Sequence, residues 1–209
     1  MTEKLAAFHP HWEPSEESGA PVLLLLHGTG GDEQQLVPLA REILKGRSAS
    51  LLGVRGRVKE GPSNRYFRRL REGVFDEKDL VERTHELAEA LGEAQQEYGF
   101  DSNNLIAIGF SNGANMAASL LLLHPEILAG ALMFRAMMPF EPESVPMMEG
   151  KRIAIYEGNN DPWAPVEQGE RLADLFREGG AEVSFNVYPA SHGLTESDID
   201  DAKEWIATL

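Results

Sequence analysis

Six short apolar runs recur along the chain, at Val22–His27, Ala49–Val54, Leu105–Phe110, Leu128–Phe134, Arg152–Glu157 and Val183–Tyr188, with stretches of helical period between them. A run that is apolar at nearly every position has both faces buried, which is the pattern of a parallel strand covered by helices on each side. In the longest intervening stretch Leu80, Thr84, Leu87, Ala88, Leu91 and Tyr98 recur at three- and four-residue steps, with charges on the other face. Pro165 is placed to open a helix that closes at Gly179 and Gly180. Thr195, with Asp198 three places on, caps a last helix carrying Ile199, Ala202, Ile206 and Leu209. The expected fold is a single α/β domain over residues 1–209, a mainly parallel twisted sheet flanked by helices on both faces. Residues 1–20 are expected to be peripheral, either as an extra edge strand near Leu5–Phe8 or laid along the surface.

Hydrophobic residues make up 42% of the 209, enough for a sizeable core, so disorder is not expected. A formal net charge of -15 opposes approach to nucleic acid and to anionic membrane surfaces. The absence of cysteine excludes disulfides, thiolate nucleophiles and thiolate metal sites. The start, MTEKLAAFHPHWEPSEESGAP, has no basic segment leading into an apolar one, and runs such as Val22–Leu26 and Leu120–Leu123 are too short to span a bilayer. A soluble cytoplasmic protein is the expectation.

The run Leu105–Phe110 ends in Gly109-Phe110-Ser111-Asn112-Gly113, which matches G-x-S-x-G. In this motif a sharp strand-to-helix turn forces the serine into a strained backbone and requires small neighbours, which Gly109 and Gly113 supply. The helix that follows, Asn112 to Leu123, points the partial positive charge of its amino end at the serine oxygen. Such a serine needs a base, itself oriented by a carboxylate, and on this architecture the order is Ser, Asp or Glu, His, each on a loop after a strand.

Of the six histidines, His192 alone sits after the last strand and before the last helix. His9 and His11 precede the first clear strand and are at best a weak metal pair. His27 ends a strand and is suited to shaping the turn at Gly28, while His85 and His124 belong to helices and should face solvent or cap. For the acid, Asp161 follows the strand Arg152–Glu157 in the loop Gly158-Asn-Asn-Asp-Pro-Trp-Ala-Pro165. Glu157 is the alternative but still lies within the strand, whereas Asp161 has loop freedom to reach a ring nitrogen. An oxyanion would then rest on the backbone N–H of Asn112 and on one from the loop His27-Gly28-Thr29-Gly30-Gly31-Asp32, with Thr29 preferred over Gly30.

These pieces resemble the α/β-hydrolase superfamily and, more narrowly, its phospholipase/carboxylesterase family, which includes acyl-protein thioesterases and small bacterial carboxylesterases. The resemblance is carried by LLLLHGTGGDE, IAIGFSNGANMAASLLL, the NDPWAP loop, the SHGLT loop and the closing helix, from about Val22 onward. The segment RVKEGPSNRYFRRLREGVFD also resembles a bacterial subgroup of hydrolases associated with quinone and aromatic stress. The resemblance implies a triad of Ser111, Asp161 and His192 with donors at Thr29 and Asn112. Family members often carry leucine at the Thr29 position and glutamine at the Asn112 position; main-chain donors survive both changes, whereas the shape of the acyl pocket need not.

Basic residues concentrate from Arg55 to Arg71. Read as a solvated segment, they balance acidic neighbours. Read as part of a site, they place Arg65, Tyr66 and Phe67 at a substrate mouth that attracts anions. Met137, Met138, Phe140 and Trp163 also follow strand ends and could line an acyl pocket or belong to the core. The combined expectation is a serine carboxylesterase for small soluble esters, with Arg65, Tyr66, Phe67, Met138 and Trp163 against the substrate. It calls for no cofactor and no metal, for a small-molecule ester rather than nucleic acid or membrane as partner, and is compatible with a homodimer. The alternatives are a thioesterase or lysophospholipase for longer acyl chains, and a non-catalytic ligand-binding protein on the same fold.

Overall fold

A computed structural model describes residues 1–208. In chain order the elements are α1 (Glu3–Ala6), β1 (His11–Glu13), β2 (Val22–Leu26), α2 (Val37–Leu44), β3 (Ser50–Val54), β4 (Val58–Glu60), β5 (Ser63–Arg65), β6 (Arg69–Arg71), β7 (Val74–Phe75), α3 (Glu77–Tyr98), β8 (Leu105–Phe110), α4 (Asn112–Leu123), β9 (Gly130–Phe134), β10 (Arg152–Gly158), α5 (Val166–Glu178), β11 (Glu182–Tyr188) and α6 (Glu196–Ile206). Seven strands form one sheet in the order β1-β3-β2-β8-β9-β10-β11. All its pairings are parallel except that of β1 with β3. The fold is thus the expected mainly parallel sheet, closed at one edge by a short antiparallel strand.

Both faces of the sheet are covered. In β2 the side chains of Val22, Leu24 and Leu26 enter one core with α3, α4 and α5, while Leu23 and Leu25 enter a second with α2 and α6. Every residue of β2 and β3 is buried, which is why those strands read as uninterrupted apolar runs. The edge strand β11 instead alternates in exposure. The last helix opens with a complete capping box: Thr195 accepts from the Asp198 N–H and the Asp198 carboxylate accepts from the Thr195 N–H. Leu209, expected in that helix, lies outside the described residues. Pro165 occupies the position before the first turn of α5, and Gly179 caps its end.

One local expectation is corrected. Leu5 to Phe8 is not an edge strand: Thr2 caps a short helix there, burying Leu5 and Phe8 against the α3 side of the core, and the edge strand is His11–Glu13. The basic segment, read above without secondary structure, folds as two small hairpins, β4–β5 and β6–β7. Its strands are only two or three residues long, too short to show an apolar period.

The strand order places the site. From β2 the chain moves outward to β3, then crosses back to β8 on the other side of β2. The loops that leave β2 and β8 therefore diverge, and a crevice forms between them at the carboxyl ends. Register brings those ends level, with Leu26 opposite Gly109.

Candidate active site

At the end of β8 the chain turns into α4 at Ser111, whose φ of 52° and ψ of -112° lie outside the regions favoured by L-residues. The turn is held because the Ser111 N–H donates to the Phe134 carbonyl at 2.9 Å. Both flanking glycines are required sterically. A Cβ on Gly113 would run into the Leu26 and His27 carbonyls of the neighbouring strand end, and one on Gly109 would lie 2.7 Å from the backbone of Ala114. The strained turn exists because α4 lies this close to β2.

His192 Nε2 is 3.0 Å from Ser111 Oγ, and His192 Nδ1 is 2.7 Å from Asp161 Oδ2. The Asp161 side chain is fully buried, and its second oxygen accepts the N–H groups of Trp163 at 2.8 Å and Ala164 at 3.2 Å. One carboxylate oxygen is thus anchored by its own loop while the other faces the imidazole. Phe110 and Trp163 lie on the His192 ring, with centroids 5.2 and 4.9 Å away, which confines its tilt. In this arrangement the imidazole can take a proton from Ser111 while Asp161 holds the tautomer with Nδ1–H.

Glu157, the alternative acid, does not join this chain of contacts. Its Oε1 accepts the Ala136 N–H at 2.9 Å, and its other oxygen is sealed without a partner among the described residues. Burial pushes its pKa up to about 9. As a neutral acid inside the core it leaves Asp161 as the carboxyl group in contact with His192.

The loop after β2 narrows the choice of oxyanion donor. Gly28 N–H donates to Gln35 Oε1, Gly30 N–H to the Asn64 carbonyl and Gly31 N–H to the Gly28 carbonyl. Among the described residues no acceptor meets the N–H of Thr29 or of Asn112. His27 shapes the turn: its Nδ1–H donates to the Gly28 carbonyl at 2.7 Å and Nε2 accepts the Gly56 N–H at 2.9 Å. Burial lowers its pKa, which keeps the ring neutral in that role. The hairpin β4–β5 and the residue after it brace both Thr29 and Asn112. Asn64 Nδ2 donates to the Gly31 carbonyl, Arg65 Nη1 to Thr29 Oγ1, and the Tyr66 N–H to Asn112 Oδ1.

Thr29, Ser111, Asn112 and His192 line a cavity of about 280 Å³, together with Arg65, Trp163, Met137 and Phe75. Of the five expected substrate contacts, Arg65 and Trp163 are therefore on its wall. Tyr66, Phe67 and Met138 are not. Tyr66 is buried with its hydroxyl donating to the Val54 carbonyl, Phe67 is fully buried against Phe75, and Met138 is in the core. Met137 takes the place expected of Met138, a one-residue change of phase beyond the end of β9. Phe140 is also buried.

Arg135 is a further residue that sequence reasoning missed. Directly after β9, with φ of 58°, it is buried and pairs with buried Asp198 through two hydrogen bonds of 2.7 and 2.9 Å. The same guanidinium donates to the carbonyls of Ser191 at 3.2 Å and Gly193 at 2.8 Å, on either side of His192. It thereby ties the histidine loop to the end of β9 and to the cap of α6. The only signal in the sequence is an arginine inside the apolar stretch LMFRAMM.

Most of the other arginines of the basic segment are paired with acids, and Arg69 also reaches the cavity wall. Arg55 makes two hydrogen bonds to Glu33, Arg57 pairs with Glu86, Arg68 with Asp76 and Asp79, and Arg69 with Glu60 and Glu72. His11 pairs with Glu13; His85 is exposed on α3 and His124 caps the end of α4, as expected, with their rings in contact at 2.7 Å. Among the described residues no helix is long and apolar enough to cross a membrane.

Residues 68–209 match the Phospholipase/Carboxylesterase family. MhqD of Bacillus subtilis (strain 168) is 45% identical over 184 residues, spanning 88% of this chain and 91% of that protein. The crystal structure of the Bacillus cereus carboxylesterase superposes with a TM-score of 0.93 at 42% identity, covering 99% of each chain. The structure of YahD with malic acid superposes with a TM-score of 0.88 at 28% identity, covering 95% of this chain and 98% of that one. An α/β-hydrolase sheet, a serine on a strained turn and these similarities lead to one assignment: the chain belongs to the phospholipase/carboxylesterase family.

Proposed function

We propose that this protein is a serine carboxylesterase that hydrolyses small soluble carboxylic esters through an acyl-serine intermediate. The observation that carries the reading is the run of contacts Ser111 Oγ, His192, Asp161 at 3.0 and 2.7 Å, opening on a cavity beside two unused backbone N–H groups. His192 takes the Ser111 proton as the oxygen attacks the ester carbonyl, and the oxyanion rests on the N–H groups of Thr29 and Asn112. The protonated imidazole then donates to the leaving alcohol. Water, deprotonated by the same nitrogen, attacks the acyl-serine and releases the acid. Asp161 holds the imidazole in place and stabilises its cation.

The size of the cavity supports a short acyl group. At about 280 Å³ it falls just below the roughly 300–1,000 Å³ usual for ligand pockets. YahD with malic acid pairs a similar chain with a small carboxylic acid, the class of molecule that ester hydrolysis releases. A fluorophosphonate should label Ser111 in the folded protein and leave Ser111→Ala unlabelled. Across p-nitrophenyl esters of increasing chain length, kcat/KM should peak at short acyl groups. A peak at long chains would favour a thioesterase or lysophospholipase, and ligand binding without labelling or turnover would favour a non-catalytic protein.

A further inference from the structure

Arg65 differs from every other arginine of the basic segment. Its side chain is only 5% exposed, yet it lines the cavity that holds Ser111. A buried guanidinium has five N–H donors to satisfy. Here Nε donates to the Phe67 carbonyl and Nη1 to Thr29 Oγ1. The nearest carboxylate, Glu60, stands 3.5 Å away, is itself 44% exposed, and is shared with Arg69, to which it is hydrogen-bonded at 2.9 Å. Among the described residues Nη2 has no partner, and it is not one of the side-chain atoms sealed in the interior without one. It therefore keeps some accessible surface, on a side chain that is otherwise buried and lines the cavity.

Asn112, on the same wall, is 2% exposed; its Oδ1 accepts the Tyr66 N–H, and its Nδ2, without a partner among the described residues, is sealed in the interior and does not reach the cavity. The amide of Asn115, also on the wall, has its oxygen engaged by the Met137 N–H. Among the described residues Glu72 is the one carboxylate lining the cavity, and it is 61% exposed and paired with Arg69. With Arg65, Arg69 and Arg135 on the wall, the cavity carries positive charge with few acceptors to meet it.

We infer that Arg65 forms an anion subsite and that the preferred esters carry a carboxylate, bound by the Arg65 guanidinium while the ester carbonyl lies at Ser111. This rests on the esterase reading and narrows its substrate class. Burial also lowers the Arg65 pKa, as expected for a charge that its surroundings compensate only in part. A carboxylate entering the cavity would complete the hydrogen bonding of the guanidinium in a site shielded from water, where a charge-assisted pair is stronger than on the surface. Because the partner is inside the cavity, the preference should persist in moderate salt, unlike long-range steering by exposed charges.

Matched ester pairs test this. Monomethyl succinate and methyl 4-methylpentanoate differ only in replacing a carboxylate with an isopropyl group on the acyl side. Acetoxyacetate and isobutyl acetate make the same comparison on the alcohol side. The wild-type protein should prefer the anionic member of one pair by on the order of 10- to 100-fold in kcat/KM, the range of one hydrogen bond to a charged group; the pair that responds tells which side of the ester bears the anion. Arg65→Met should collapse that ratio and Arg65→Lys should keep part of it. Because Arg65 also holds Thr29, both variants should lose activity on the neutral esters too; a purely structural role lowers both members equally and leaves the ratio unchanged, which would overturn the inference.

A binding measurement keeps this test apart from the catalytic one. In calorimetry, Ser111→Ala protein should bind monomethyl succinate more tightly than methyl 4-methylpentanoate, and acetoxyacetate more tightly than isobutyl acetate if the alcohol side bears the anion. Ser111→Ala/Arg65→Met should lose that difference while keeping the wild-type circular dichroism spectrum. Equal binding within both pairs refutes the anion subsite even if Ser111 proves to be the nucleophile. Failure of fluorophosphonate labelling refutes the esterase reading instead.

Discussion

Replacing Glu157 by glutamine separates a buried neutral acid from a buried anion. The carboxyl group is fully buried at the end of β10, beneath Gly169 of α5, where even a Cβ would come within 2.6 Å of Oε1. Burial is the main cause that raises its pKa from 4.5 to about 9; the Ala136 N–H and the charge of Arg135 oppose the rise, and Asp161 and Asp198 add to it. In the unfolded chain the group ionises above its ordinary pKa of 4.5, whereas in the native protein it keeps its proton until about 9. The native state therefore binds the extra proton between these values. Stability from this group is complete below pH 4.5 and is lost as pH rises toward 9, by about 1.4 kcal/mol per unit. By pH 7 the loss amounts to about 3 kcal/mol.

Glutamine retains the oxygen that accepts from Ala136 but cannot ionise in either state. Its amide nitrogen would replace the oxygen that lacks a partner, at a cost of about 1–3 kcal/mol. The net change at pH 7 is therefore small, and the pH dependence is the informative quantity. Urea unfolding followed by circular dichroism at pH 5.5, 7.0 and 8.5 should show Glu157→Gln gaining on the wild type by about 4 kcal/mol across that range. A difference that stays constant with pH would mean that Glu157 is already ionised in the native protein, and the account of a neutral acid would fail. Esterase activity should survive, because Glu157 touches neither His192 nor Ser111. A loss as large as that of Asp161→Asn would make Glu157 a partner in catalysis.

Asp161→Asn should lower kcat by on the order of 10⁴-fold with unfolding unchanged within about 1 kcal/mol, since the anchoring oxygen can stay while the imidazole loses its orienting anion; a nearly silent variant points to another acid. Arg135→Met leaves Asp198 as an unpaired buried charge and should cost about 3–5 kcal/mol in urea unfolding, with kcat falling further than KM changes because both carbonyls beside His192 lose a donor. A stability loss below about 1 kcal/mol would show that the pair is not buried as described. Gly113→Ala should fail to give a folded protein or lower stability by more than about 3 kcal/mol, because the colliding atoms are backbone carbonyls of β2 that cannot rotate away; a thermal melt close to wild type would refute the close approach of α4 to that strand.

What could be read from the sequence depended on whether a residue's partner was implied by its neighbourhood. Strands β2, β3, β8, β9 and β10 were legible because burial on both faces leaves an apolar run, a local property. Ser111, Asp161 and His192 were legible as residues on successive strand-end loops, and the sheet brings them together because parallel strands place all such loops on one side. The charged hairpins β4–β5 and β6–β7 have no comparable signature. Nor can the neutralisation of Arg55 by Glu33 or of Arg57 by Glu86 be seen, since each acid is distant in sequence and no period links the two. Reading Arg55 to Arg71 as one electrostatic feature was therefore too coarse: one member is a buried cavity wall and most of the others are paired at the surface.

Asp198 shows the same limit at a single residue. Its position three places after Thr195 explains it fully as a helix cap, and that role is present: its Oδ2 accepts the Thr195 N–H at 2.7 Å. Both of its oxygens also accept from Arg135, whose guanidinium holds the carbonyls beside His192. One carboxylate thus joins the start of the last helix, the end of β9 and the loop that carries the histidine. Local sequence accounts for an acidic residue at that position. Three elements meeting on it account for its complete burial, and they place the histidine loop under the control of a pair with no contact to Ser111.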